Sequence, residues 1–186
     1  MKKMASSFQL PGFNLKKVRN SPRGFTLIET LVAMSVLLVS LAGPLSIAAK
    51  ALQSAYYARD QVTAFYLAQE AIEYVRTYRE QNYLALPPGE WLSGIDDCMS
   101  PNICTVDFPN FNHQVCGGDG CAPLLISASN RLYNIESGDP SIYTRSLTLS
   151  PVSGNPDEIL VSVTVSWNTS GGGRTFELTE HMFDWL

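Results

Sequence analysis

The stretch Arg23–Val39, RGFTLIETLVAMSVLLV, decides how the rest of the chain is read. It opens on a cation and a glycine. It then runs almost wholly apolar, apart from small hydroxyls and one carboxylate, Glu29. A charge inside a membrane-length segment costs on the order of 2.5–3.5 kcal/mol on insertion scales. The apolar run continues over residues 25–49, long enough to span a bilayer as a helix. Gly43 and Pro44 interrupt it near its end. Proline removes a helical hydrogen bond and crowds the preceding turn, so a kink or local melting is expected there.

Upstream of this run the chain is basic. Lys2, Lys3, Lys16, Lys17, Arg19 and Arg23 precede Phe25, and no acid does. The first 24 residues carry +6. The remainder holds seven bases against seventeen acids, which is −10, and the formal net of −4 conceals this division. Cations directly before an apolar run are the positive-inside pattern, which places the N-terminus in the cytoplasm and the following chain across the membrane. No apolar core of secretory length precedes Gly24, so a cut there would leave the anchor in the mature protein. The charge of −10 disfavours a nucleic-acid partner, because phosphate neutralisation needs a basic surface.

Downstream, Ala48, Ala51, Ala55, Ala58, Val62, Phe65, Ala68, Ile72 and Val75 recur mainly at steps of three and four, which is helical spacing. One helix is expected from about Phe25 to about Tyr83, ended by Pro87-Pro88-Gly89. Residues 87–130 are rich in Pro, Gly, Asn and Asp, and read as loops with little regular structure. Tyr143 to Leu149 and Ile159 to Trp167 then alternate with period two, and Thr175 to Trp185 follows after a Gly-rich turn over 168–173. Strand, turn and strand are the natural reading. With 186 residues the chain suits one domain with appendages.

At PRGFTLIET (residues 22–30) the sequence resembles the type IV prepilin family, which carries a short basic leader, a glycine before the cut, a phenylalanine after it and a glutamate at the fifth mature position. The resemblance covers roughly residues 16–83. FYLAQEAIEYVRTYRE (65–80) and the chain's last strands look like the minor-pilin and pseudopilin side of that family. The cysteines precede the last strands, whereas a major pilin commonly staples the end of its chain. The resemblance implies cleavage between Gly24 and Phe25 by a dedicated aspartyl membrane peptidase, on the cytoplasmic side. Glycine suits that position because a residue without a side chain lets a protease approach the backbone. It further implies methylation of the new Phe25 amine by the same enzyme. The chain would then reside in the inner membrane as a single-pass precursor until an assembly platform extracts it into a filament outside. There Glu29 would face the first-residue amine of a neighbouring subunit. A buried anion needs such a partner to offset its desolvation. The plainer alternatives are that Glu29 pairs with its own Phe25 amine or is protonated.

Cys98, Cys104, Cys116 and Cys121 lie beyond the apolar run, and an even, clustered count in an oxidising compartment reads as disulfides. The spacing is C-x5-C, eleven residues, then C-x4-C, and the first pair is looser than typical zinc pairs. Local closures, Cys98–Cys104 with Cys116–Cys121, each pin a short loop, and the nested pairing is the main alternative. Asp96, Asp97, Asp107 and Asp119 could offer oxygens to calcium, but no EF-hand spacing is present and turn acids are usually solvated. His113 and His181 stand near no catalytic motif, so the chain reads as a non-enzyme without cofactor or metal. Asn168-Thr169-Ser170 matches a glycosylation acceptor, although a hairpin accounts for it equally. Trp91 and Trp167 read as core, and Trp185 as a candidate partner contact.

The expected fold class is α+β: a long N-terminal helix packed against a small C-terminal antiparallel sheet, with a disulfide-stapled loop region between them. The expected divisions are a leader over 1–24, an anchor over 25–49, an amphipathic helix over 50–83 and a head over 84–186, with the cysteine loops at 98–121. The helix would meet the sheet around Val62, Phe65, Ile72 and Val75. The expected function is that of a minor pilin, with other pilin subunits as partners. A type II secretion pseudopilin and an adhesive or DNA-capturing tip subunit are the alternatives.

Overall fold

The computed structural model describes residues 24–85, 87, 90–169 and 171–184. The basic leader before Gly24, Pro88, Gly89, Trp185 and Leu186 fall outside the described residues. Contacts divide the chain into two units, Met1–Lys50 and Ala51–Leu186.

The first unit is described from Gly24 onward and is helical from Leu27, the start of helix α1 (Leu27–Ala85). Thr26 caps the helix: its hydroxyl accepts the Glu29 backbone N–H at 3.3 Å, and its carbonyl accepts from Thr30 at 3.2 Å. Threonine followed three residues later by glutamate is the composition of a capping box. Glu29 is also the acid of the first turn, where the helix dipole favours negative charge. Helical structure runs through Gly43 and Pro44 without interruption, so the expected local melting does not occur. A single proline withdraws one donor, and the neighbouring turns keep theirs.

The second unit contains α1 from Ala51 to Ala85, a short 3-10 turn (Asp96–Cys98) and seven antiparallel strands. These are β1 (Cys104–Asp107), β2 (Asn112–Val115), β3 (Pro123–Ile126), β4 (Tyr133–Asn134), β5 (Asp139–Val152), β6 (Asn155–Thr169) and β7 (Gly172–Phe183). β5 is the hub. One edge pairs with β6 from Tyr143↔Trp167 to Pro151↔Ile159, and β6 in turn pairs with β7. The other edge of β5 receives β3, itself paired to β4, and β1, itself paired to β2. Gly138 enters β5 with φ +133°, where a Cβ would stand 2.2 Å from the Ile126 carbonyl oxygen, so only glycine fits the approach.

The period-two pattern of β6 determines its faces. Ile159, Val161, Val163, Val165 and Trp167 are buried, and the residues between them are half-exposed. They form one core with Ala64, Leu67, Ala68, Ala71, Ile72, Tyr74 and Val75 of α1. The alanines are decisive, because their size lets the helix lie close to the strands. The buried stripe is therefore rotated from the one expected. Ile72 and Val75 belong to it, but Val62 is 53% exposed and Phe65 37% exposed. The fully buried positions include Ala64, Ala68 and Ala71 as well as Tyr74 and Val75, and Phe65 meets the sheet edge-on to Phe176 at 5.8 Å.

The expectation of loops over 87–130 also needs correction, since β1, β2 and β3 lie there. Each has four residues, too few to display an alternation. Nor does the region lack a core: Trp91, Ile95, Cys98, Cys104, Val106 and Leu124 join the main cluster.

Candidate functional site

The apolar segment contains a few polar side chains, and their bonding separates one from the rest. The hydroxyls of Thr30, Ser35, Ser40 and Ser46 each donate to the carbonyl three residues earlier, at 2.8 Å. The Thr26 hydroxyl is engaged in the cap. Among the described residues, the Glu29 carboxylate alone in this segment has no hydrogen bond and no ion pair. Around it Phe25, Leu27, Ile28 and Val32 are all exposed, at 80%, 78%, 70% and 55%. The result is an apolar cylinder that carries one carboxylate without a hydrogen bond near its N-terminal end. The helix is long and apolar enough to cross a membrane.

Residues 19–43 match the family model described as the prokaryotic N-terminal methylation motif. The chain carries a prokaryotic N-terminal methylation motif. No curated protein matches the chain, and no solved structure matches it. The motif spans Gly24, Phe25 and Glu29. The prepilin motif belongs to structural subunits of the type IV pilin and pseudopilin kind, made as membrane-anchored precursors, processed by prepilin peptidase and assembled with other pilins.

The remaining residues singled out from the sequence lie in the second unit, where they build structure. Cys98 pairs with Cys104 and Cys116 with Cys121, the local closures. They differ in setting. Cys98 and Cys104 are wholly buried beneath the core, and Cys116 and Cys121 are partly exposed. Asp107 is not a solvated turn acid. It is wholly buried, and its carboxylate accepts from the backbone N–H groups of Asn110 and Ile135, both at 3.0 Å, and from Asn110 Nδ2 at 3.1 Å. Asp96 accepts from the Gly94 N–H, and Asp119 is exposed in the Cys116–Cys121 loop. His113 sits between Tyr74 and Asp97, sharing a hydrogen bond with each at 3.1 and 2.8 Å. Asp97, Cys98 and His113 lie close together, but the Cys98 sulfur is committed to its disulfide and is not a ligand. His181 meets Glu158 at 2.6 Å on the surface. Trp91 and Trp167 are core residues, at 6% and 3% exposure.

Two features escaped the sequence reading. The first is the Thr26 cap, legible in principle from the T-x-x-E spacing. The second is Arg145, which is wholly buried on the inward face of β5. Its guanidinium donates to the Leu67 carbonyl at 2.9 Å, to Glu70 at 3.1 Å and to the Val106 carbonyl. It thus joins α1, β1 and β5. Burial lowers its pKa from the ordinary arginine value, with Glu70 opposing. The signal was an arginine in phase with Tyr143, Leu147 and Leu149. Burial also pushes the hydroxyls of Tyr74, Tyr133 and Tyr143 above their ordinary range.

Proposed function

We propose that the chain is a minor pilin, a low-copy subunit that enters a type IV filament through its N-terminal helix and primes, caps or modifies it. In this reading the peptidase cuts between Gly24 and Phe25 and the Phe25 amine is methylated. The precursor waits in the inner membrane with its head outside the cytoplasm. Glu29 then fixes axial register by meeting the first-residue ammonium of a neighbouring subunit. The observation that carries the reading is the contrast within the apolar segment: every hydroxyl spends its bond inside the helix, and the Glu29 carboxylate does not. An anion left open in apolar surroundings needs a cation from elsewhere. A subunit docked out of step would leave both charges bare. The placing of both disulfides ahead of β5–β7, with none closing the end of the chain, supports a minor rather than a major subunit.

The test is Glu29→Ala in cells that assemble the filament. Cleavage should proceed, with Phe25 found at the N-terminus of the product. Incorporation into sheared filaments should fall sharply, because the unpaired neighbour ammonium costs on the order of 3–5 kcal/mol. Normal incorporation would refute the register role. A native protein that begins anywhere but Phe25 would refute the processing, and a copy number equal to the main subunit would refute the minor assignment.

A further inference from the structure

A groove in the head of about 420 Å³ is lined by Arg59, Asp60, Tyr133, Tyr143 and neighbouring apolar side chains. Its size lies within the roughly 300–1,000 Å³ of ordinary small-ligand sites. Asp60 is only 6% exposed, an unusual place for a carboxylate. Arg59 donates to it through Nε at 3.1 Å and Nη2 at 2.9 Å, but both bonds end on Oδ1. No hydrogen bond reaches Oδ2 from the described residues, and Asp60 lines the groove. The walls beside it are aromatic: Tyr133 stands edge-on to Tyr143, with ring centroids 5.8 Å apart. Ile126, Pro140 and Ile142 supply an apolar flank.

We propose that this groove binds a primary ammonium group carried on an apolar stem, with the ammonium donating to Asp60 Oδ2 and the stem lying on Tyr133, Ile126 and Pro140. Three features of the groove select that chemistry. A nearly buried carboxylate oxygen with spare acceptor capacity calls for a charged donor. Tyrosine faces attract a cation through their ring quadrupole. Asp60 is the one acid lining the groove among the described residues, so a second positive charge would have no partner there and the ligand is a monocation rather than a polyamine. The group has two possible sources, a free monoamine or a lysine side chain of a peptide. The site is independent of Glu29 and of the filament reading.

The experiment uses the full-length chain in detergent micelles with isotope-labelled tyrosine rings, titrated with n-butylammonium, butyrate, spermidine and the capped tripeptide acetyl-Gly-Lys-Gly-amide. Butylammonium should shift the Tyr133 and Tyr143 ring signals saturably, butyrate should not, and spermidine should bind more weakly. Response to the tripeptide at lower concentration than to butylammonium assigns the source as a lysine side chain, and the reverse assigns a free amine. Asp60→Asn should abolish the shifts. Tyr133→Leu should weaken binding several-fold with the remaining tyrosine spectrum preserved, which covers the case in which the first variant fails to fold. Saturation by butyrate, binding unchanged in Asp60→Asn, or no response to either ammonium ligand overturns the proposal.

Discussion

Two stretches of α1 obey different rules. Over residues 27–50 the helix is apolar around its whole circumference and every side chain is exposed. Over residues 60–75 it is amphipathic, and its buried face holds Ala64, Ala68 and Ala71 together with Leu67, Ile72, Tyr74 and Val75. An all-round apolar helix needs an apolar solvent or other helices, whereas a one-sided helix needs a sheet. The difference teaches that apolarity and burial are separate quantities here. The greasier stretch is the bare one, and the stretch that packs carries more polar side chains.

Removing Arg145 should break the packed stretch most severely. Arg145→Ala leaves Glu70 and two carbonyls without their donor, and breaking a buried ion pair costs on the order of 3–5 kcal/mol. The denaturation midpoint of the head should fall accordingly, with membrane retention unchanged. Replacing both partners by methionine should recover much of the loss. A smaller change makes the comparison direct. Ala71→Leu overfills a wholly buried position and should cost about 1–3 kcal/mol. Ala33→Leu, in the exposed stretch, should leave head stability untouched. Equal effects at the two alanines would dissolve the distinction.

The last prediction concerns pH and has no effect near neutrality. Tyr74, Tyr133 and Tyr143 hold their protons more tightly folded than unfolded. Their stabilising contribution is complete below the unfolded tyrosine pKa of about 10 and declines as pH rises above it. The head should therefore lose stability in alkali above roughly pH 10. Residues 25–50 contain no tyrosine, so helicity there should persist.

The sequence made the regular parts legible for physical reasons. The long helix, the β5–β6–β7 meander and the hairpin near residues 168–173 all announce themselves by sustained period, and the structure places them within a few residues of expectation. The local cysteine pairs follow from short loops. What stayed hidden was tertiary. Four-residue strands such as β1 and β2 owe their existence to the edges they pair with, and no internal pattern marks them. Which side of α1 faces the sheet was misjudged at Val62 because close approach rewards alanine. At the N-terminal segment, the identities of Gly24, Phe25 and Glu29 were plain, and the Thr26 cap emerged only with coordinates.

The serines and threonine of the apolar stretch have a consequence for transport. Each hydroxyl is already satisfied by a carbonyl of its own helix, at one uniform length. Such a rod asks nothing specific of its surroundings, so it can leave a bilayer and enter a bundle of like rods without surrendering a bond on the way out or needing a new one on arrival. These groups oppose neither extraction from lipid nor return to it.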